Sequence, residues 1–245
     1  MKRFLVLFVV LVNYLHQAFA LNQQIKNECN LNSNSFSFVA FIPLLSRIPN
    51  ADANIRCAGV LVSERYILTS SHCLQFVLKT AQLGRYDTSK NESTTAVVEV
   101  ESWTKYEHAD LALIRLKNVV KCNISTSSFP FRQPQTSTVY TSGWGMTSKT
   151  GPVSVIKKVV EHTLVNCDNH ATNSICLKAK NEANLACSGD EGSPIVYCEN
   201  SKWVVYGILS TVFDNDATPC AANNPAVGVL LTGKIINWIN EKIQH

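Results

Sequence analysis

The chain lacks the features that would make it a nucleic-acid binder. Its 22 Lys and Arg include no basic run of five or more, and such binding rests on clustered cations. Charge of either sign is sparse, at 16% against 46% hydrophobic residues, a globular composition rather than a disordered one. Long apolar runs are missing too. The first, Phe4 to Val12, stops at Asn13, short of the ~20 residues a membrane span needs, and no later stretch qualifies. No membrane partner is expected. There is no internal repeat. No H-E-x-x-H or C-x-x-C spacing occurs, so neither a zinc site nor any other cofactor is proposed.

What is present begins with a charged end (Lys2, Arg3), the apolar run, and Ala18-Phe19-Ala20. That pattern reads as a signal peptide over residues 1–20 and a secreted, extracellular product. Without it the formal charge falls from +4 to +2, with 20 Lys and Arg against 18 Asp and Glu. Residues 21–37 are polar and contain Cys29; they read as a leader. Residues 38–245 form one domain, long enough to bury a sizeable core. Nine cysteines in a secreted chain imply disulfides. Asn91-Glu92-Ser93 and Asn123-Ile124-Ser125 are glycosylation sequons.

From Phe38 onward, short runs rich in Val, Ile, Leu and aromatics alternate with turn residues. They include Phe38 to Leu45, Tyr66 to Thr69, Ala96 to Trp103, Leu111 to Leu116, Val155 to Leu164 and Trp203 to Leu209. Strands at this spacing predict an all-β sandwich or barrel, and periodicity does not choose between them. In Lys234 to His245 the apolar residues Ile235, Ile236, Trp238, Ile239 and Ile243 fall at mostly helical spacing, which predicts a C-terminal helix packed by one face.

Four motifs carry the chemistry. Cys57-Ala58-Gly59-Val60-Leu61-Val62 is followed by Ile67-Leu68-Thr69-Ser70-Ser71-His72-Cys73. His108-Ala109-Asp110 leads into the apolar Leu111 to Leu116. Ser142-Gly143-Trp144-Gly145 follows, and then Cys187-Ser188-Gly189-Asp190-Glu191-Gly192-Ser193-Pro194. Together they resemble the chymotrypsin-like serine proteases, whose corresponding motifs read C-G-G-x-L-I with V-L-T-A-A-H-C, x-N-D-I-A-L-L-x-L, S-G-W-G and C-x-G-D-S-G-G-P. Leu83-Gly84-Arg85-Tyr86-Asp87 is similar to the L-G-E-Y-D of insect-type members. The resemblance implies two six-stranded antiparallel β-barrels with a C-terminal α-helix. It puts His72 at the general base and Asp110 at the residue that orients it. Glu191 then stands at the nucleophile, with the backbone N–H groups of Gly189 and Glu191 as the oxyanion hole.

A carboxylate is a weak nucleophile toward an amide, its acyl product would be an anhydride, and it places negative charge where the transition state develops negative charge. Losing the serine from such a triad costs on the order of a millionfold in turnover. Ser188 and Ser193 flank the slot without occupying it. The expectation at the slot is an ion pair, with His72 held as imidazolium between Glu191 and Asp110.

Family members are usually freed by cleavage before I-V-G-G, and the new amino terminus pairs with the Asp before the serine. Here Asn30 to Ser37 contains no such sequence, so Asp190 is expected to lack its partner. The specificity pocket falls to Leu185, where trypsin-like members carry Asp, and to Ser210-Thr211-Val212, whose Val212 should narrow the entrance. The family's disulfides imply Cys57–Cys73, Cys167–Cys176, Cys187–Cys220 and Cys29–Cys122. Cys198 would then be a free thiol, either buried or bridging to another chain, because Val139 stands where its partner should be.

Two functional readings follow. One is a secreted, non-catalytic homologue of insect type that binds an extracellular protein, a protease or its substrate, and regulates a proteolytic pathway. The other is an active serine endopeptidase. A carbohydrate or lipid binder is a third class, with no motif to propose it.

Overall fold

The computed structural model describes residues 29, 31, 36–47, 55–120, 129, 136–148, 150–167, 173–181, 183–211, 220 and 225–244. The first half of the chain supplies seven strands: β1 (Val39–Leu45), β2 (Arg56–Ser63), β3 (Tyr66–Thr69), β4 (Val77–Leu78), β5 (Thr80–Leu83), β6 (Ala96–Tyr106) and β7 (Leu111–Leu116). Six of them pair antiparallel in the order β2-β3-β7-β6-β5-β1, and a β1–β2 pairing closes the ring, while the two-residue β4 extends from β1. The second half supplies β8 (Thr138–Gly143), β9 (Lys158–Val165), β10 (Ser174–Ala179), β11 (Pro194–Glu199), β12 (Lys202–Thr211) and β13 (Ala226–Leu230). These form a closed barrel ordered β10-β13-β12-β11-β8-β9. Closure removes the exposed edges an open sheet would leave.

Alternation along each strand turns one set of side chains inward. Ile42, Leu61, Ile67, Leu83 and Ile114 fill the first barrel. Ile175, Leu177, Ile195, Tyr206 and Leu209 fill the second. Helix α1 (Gly233–Ile243) buries Ile235 and Ile239. These two join a cluster that also holds Phe41, Trp144, Val196 and Leu231 and so spans both barrels.

Two of the sequence motifs stitch the halves together. The Tyr86 carbonyl accepts from Trp144 Nε1 (3.1 Å) and from the Lys157 backbone N–H (2.8 Å), and Asp87 forms a β-bridge with Ile156. The run expected to begin at Val155 pairs as a strand only from Lys158, because the residues before it make this inter-barrel seam.

The disulfides correct one expectation. Cys57–Cys73, Cys167–Cys176 and Cys187–Cys220 form as the resemblance implies. Cys29, however, is bonded to Cys198 rather than to Cys122, so Cys198 is not a free thiol. The packing of the leader explains this. Phe36 is fully buried, with its ring 4.9 Å from that of Trp203, and Trp203 is the register partner of Cys198 across β11 and β12. Phe36 and Cys29 therefore both meet the second barrel beside the cysteine that the family pattern left without a mate. Cys122, Asn123, Val212, residues 1–20 and most of the 21–37 leader lie outside the described residues. Asn91 is exposed in a loop.

Candidate active site

The loop from Cys187 to Ser193 is built as a tight elbow. Asp190 N–H donates to Cys187 O (2.9 Å), Ser193 N–H to Asp190 O (3.0 Å) and Gly192 N–H to Leu209 O (2.8 Å). Gly189 and Gly192 hold φ of +95° and +82°, values that disfavour any residue with a Cβ. At Gly192 a Cβ would lie 2.1 Å from Ala58 O. Glu191 O accepts from Ala58 N–H on β2 (2.8 Å). The elbow of the second barrel is therefore docked on the first.

The Glu191 side chain turns back into this elbow. Its carboxyl accepts from Gly189 N–H (2.7 Å) and from its own backbone N–H. These are the two donors assigned above to an oxyanion hole, so the carboxyl fills that hole itself. Glu191 is 5% exposed. Burial pushes its pKa up to about 7 against the pull of the two N–H bonds, and the charges of Asp190 and Asp110 add to the rise.

The expected ion pair with His72 does not form. His72 is exposed, and its Nδ1 meets Gln75 Nε2 at 3.2 Å. His72 enters no salt bridge among the described residues. Asp110 shows why. Its Oδ1 accepts from Ser71 Oγ (2.7 Å) and the His72 backbone N–H (2.9 Å), and its Oδ2 from Ser70 Oγ (2.6 Å) and Ser210 Oγ (2.5 Å). Four donors occupy a carboxylate with about four lone-pair sites, which leaves none for the imidazole. Burial pushes the Asp110 pKa up, but the bonds from Ser210, Ser70, Ser71 and the His72 N–H outweigh it and hold it low.

Two clefts flank Glu191. One of about 470 Å³ runs along Arg56, Phe76, Met146, Val153, Ser188 and Gly189. The other, about 430 Å³, lies between Ser71, His72, Lys105, Asp110 and Ser210. Ser193 is fully buried and donates to Ser142 O (3.0 Å), so its hydroxyl is turned away from both clefts and into the fold. Leu185 packs in a small cluster on the Cys187–Cys220 disulfide. Ser210, read from the sequence as a pocket wall, lends its hydroxyl to Asp110.

Asp190 does have a cation. Lys158 Nζ lies 2.9 Å from Asp190 Oδ2, and both side chains are largely buried. Asp190 is thus paired even though the cleavage-generated amino terminus used by family members is not expected here; no local feature of the sequence points to Lys158, since the two residues are 32 apart. Ser70 and Ser71, by contrast, were visible in the histidine motif, where the family pattern has Ala-Ala. Their consequence emerges only once Asp110 is placed beside them.

A family model described as Trypsin matches residues 28–239. The chain is similar to mouse (Mus musculus) chymotrypsin-C, 28% identical over 218 residues covering 77% of this chain and 78% of the relative. It is also similar to bovine (Bos taurus) granzyme A, 26% identical over 214 residues covering 76% and 79%.

Proposed function

We propose, since the chain belongs to the trypsin family, that it is a protease-fold protein that binds and does not cut. The observation that carries this reading is the Glu191 carboxyl on the Gly189 and Glu191 N–H groups. A substrate oxyanion needs those donors and an adjacent nucleophile. Here one side chain removes both. The exposed imidazole of His72 and the saturated Asp110 support the same conclusion from the other side of the cleft.

The role we assign is that of a secreted regulator whose partner is an extracellular protein, a protease or its substrate. The amino-terminal pattern of residues 1–20 and the four disulfides support secretion. Exposed Asn91 is assigned as a glycan site, and Asn123 by its sequon alone. Leu185 and Val212 argue against a pocket for Lys or Arg side chains.

Labelling of the isolated chain with a fluorophosphonate probe, beside Glu191→Ser, tests the reading. No label on the native chain is the expected result. A label mapped to Ser188 or Ser193 in the native chain would restore the alternative, an active serine endopeptidase.

A further inference from the structure

We propose that Lys158 is a built-in replacement for a cleavage-generated cation: it orders the Cys187–Ser193 loop in the uncut chain, so the cleft forms without proteolytic maturation. Asp190 is 2% exposed, and a carboxylate that deep is tolerated only when a cation and hydrogen bonds compensate it. Its compensation is complete within the chain. Oδ1 accepts from Gly145 N–H (2.7 Å), and Oδ2 from Cys187 N–H (3.0 Å) and Lys158 Nζ (2.9 Å).

The ammonium is equally well satisfied. Its two other contacts are Met146 O at 2.7 Å and Leu185 O at 3.3 Å, so all three N–H donors have acceptors. The surrounding backbone is shaped for this carboxylate. A Cβ on Gly143 would lie 2.4 Å from Asp190 Oδ1, and one on Gly145 2.6 Å from Oδ2. The two glycines of the Ser142 to Gly145 motif thus admit the Asp190 head group to the place where Lys158 meets it.

The amino-terminal segment is meanwhile engaged elsewhere. Cys29 is bonded to Cys198, and the Phe36 carbonyl accepts from Lys157 Nζ (3.0 Å). Adjacent lysines at the start of β9 divide the work, with Lys157 holding the leader and Lys158 holding the loop. The inference concerns the order of the loop and stands whether or not the protein has any catalytic activity.

The test is hydrogen–deuterium exchange on the full disulfide-bonded chain, with its uncut leader verified by mass. Lys158→Met should speed amide exchange across residues 187–193 by about a hundredfold, the scale of an uncompensated buried charge, while barrel amides stay protected. Lys158→Met combined with Asp190→Asn removes both charges and should return loop protection to within about tenfold of native. If Lys158→Met alone fails to fold, recovery of fold and loop protection in the double variant carries the same meaning. Unchanged loop protection in Lys158→Met overturns the proposal. So does a double variant no better than the single one, or a native loop that becomes protected only after the leader is cut.

Discussion

The two sides of the cleft have kept different things. On the second barrel the loop frame survives whole: two glycines at positive φ, a disulfide at Cys187, and a buried Asp190 with its cation. On the first barrel the proton-transfer pair is taken apart, with Asp110 held by serine hydroxyls and His72 turned outward. A loop frame is a matter of backbone conformation and burial, and losing it would unfold the elbow. A proton relay is a matter of two or three hydrogen bonds, and redirecting them costs the fold little. On the non-cutting reading proposed above, the second can be lost and the first retained, provided the preserved surface still binds something.

The largest effect should come from rebuilding the relay. Glu191→Ser restores a hydroxyl to an intact elbow, but Asp110 stays occupied. Glu191→Ser with Ser70→Ala and Ser71→Ala frees two of its acceptor sites for His72. The triple variant should react with a fluorophosphonate faster than Glu191→Ser alone by about 10²–10⁴, the range over which a positioned base and its orienting carboxylate act. Equal labelling rates would erase the distinction between the two sides, leaving Glu191 as the whole difference.

Glu191 also marks the loop side through stability. Its pKa in the fold is about 7, against an ordinary value of 4.5, so the folded state holds a proton that the unfolded chain releases. Stability then falls as pH rises from 4.5 to 7, by about 3 kcal/mol in all, and stays low above that window. Glu191→Gln removes the penalty. Its Tm should exceed the native value by roughly 6–12 °C at pH 8 and match it at pH 4. His162 supplies a contrast from inside the second barrel. It is 1% exposed, with Nε2 2.9 Å from Thr141 Oγ1, and burial pushes its pKa down to about 4 from 6.5. Here the unfolded state binds the extra proton, so stability falls as pH drops from 6.5 to 4, by about 3 kcal/mol. Thermal melts of His162→Gln should lose that acid limb and keep the alkaline one. In the native chain the two contributions oppose each other between pH 4.5 and 6.5 and nearly cancel, so each is read with the other removed. His162→Gln should decline toward alkaline pH and Glu191→Gln toward acid pH, and a flat profile in both variants would deny both assignments.

The sequence made individual strands legible, because runs such as Tyr66 to Thr69 and Leu111 to Leu116 are bounded by turn residues and match the observed strands; their closure into two barrels was implied by the family resemblance alone. It made the positions of His72, Asp110 and Glu191 legible because their motifs are local. What it hid was pairwise. Lys158 meets Asp190 across 32 residues and Cys29 meets Cys198 across 169, and no periodicity or motif encodes such a meeting. The expected His72–Glu191 pair failed for a related reason. Opposite charges at neighbouring motif positions suggest attraction, but a side chain bonds to the nearest unsatisfied donor. For Glu191 that donor was its own elbow.

The smallest effect isolates one hydroxyl. Ser210 donates to Asp110 Oδ2 from the second barrel, so it is the one serine of the three that bridges the two sides. Removing it in Ser210→Ala should let the Asp110 pKa rise toward its ordinary value, since that bond contributes most among those holding it low. Ser71→Ala should raise it less and free Oδ1 beside the His72 backbone. A carboxyl-carbon NMR titration of Asp110 reads both shifts. A further downfield His72 ring N–H signal in Ser71→Ala would show the imidazole returning to the carboxylate. If neither Ser210→Ala nor Ser71→Ala moved Asp110 and the ring stayed exposed, the serines would be bystanders, and the outward turn of His72 would have to follow from the Glu191 side chain alone.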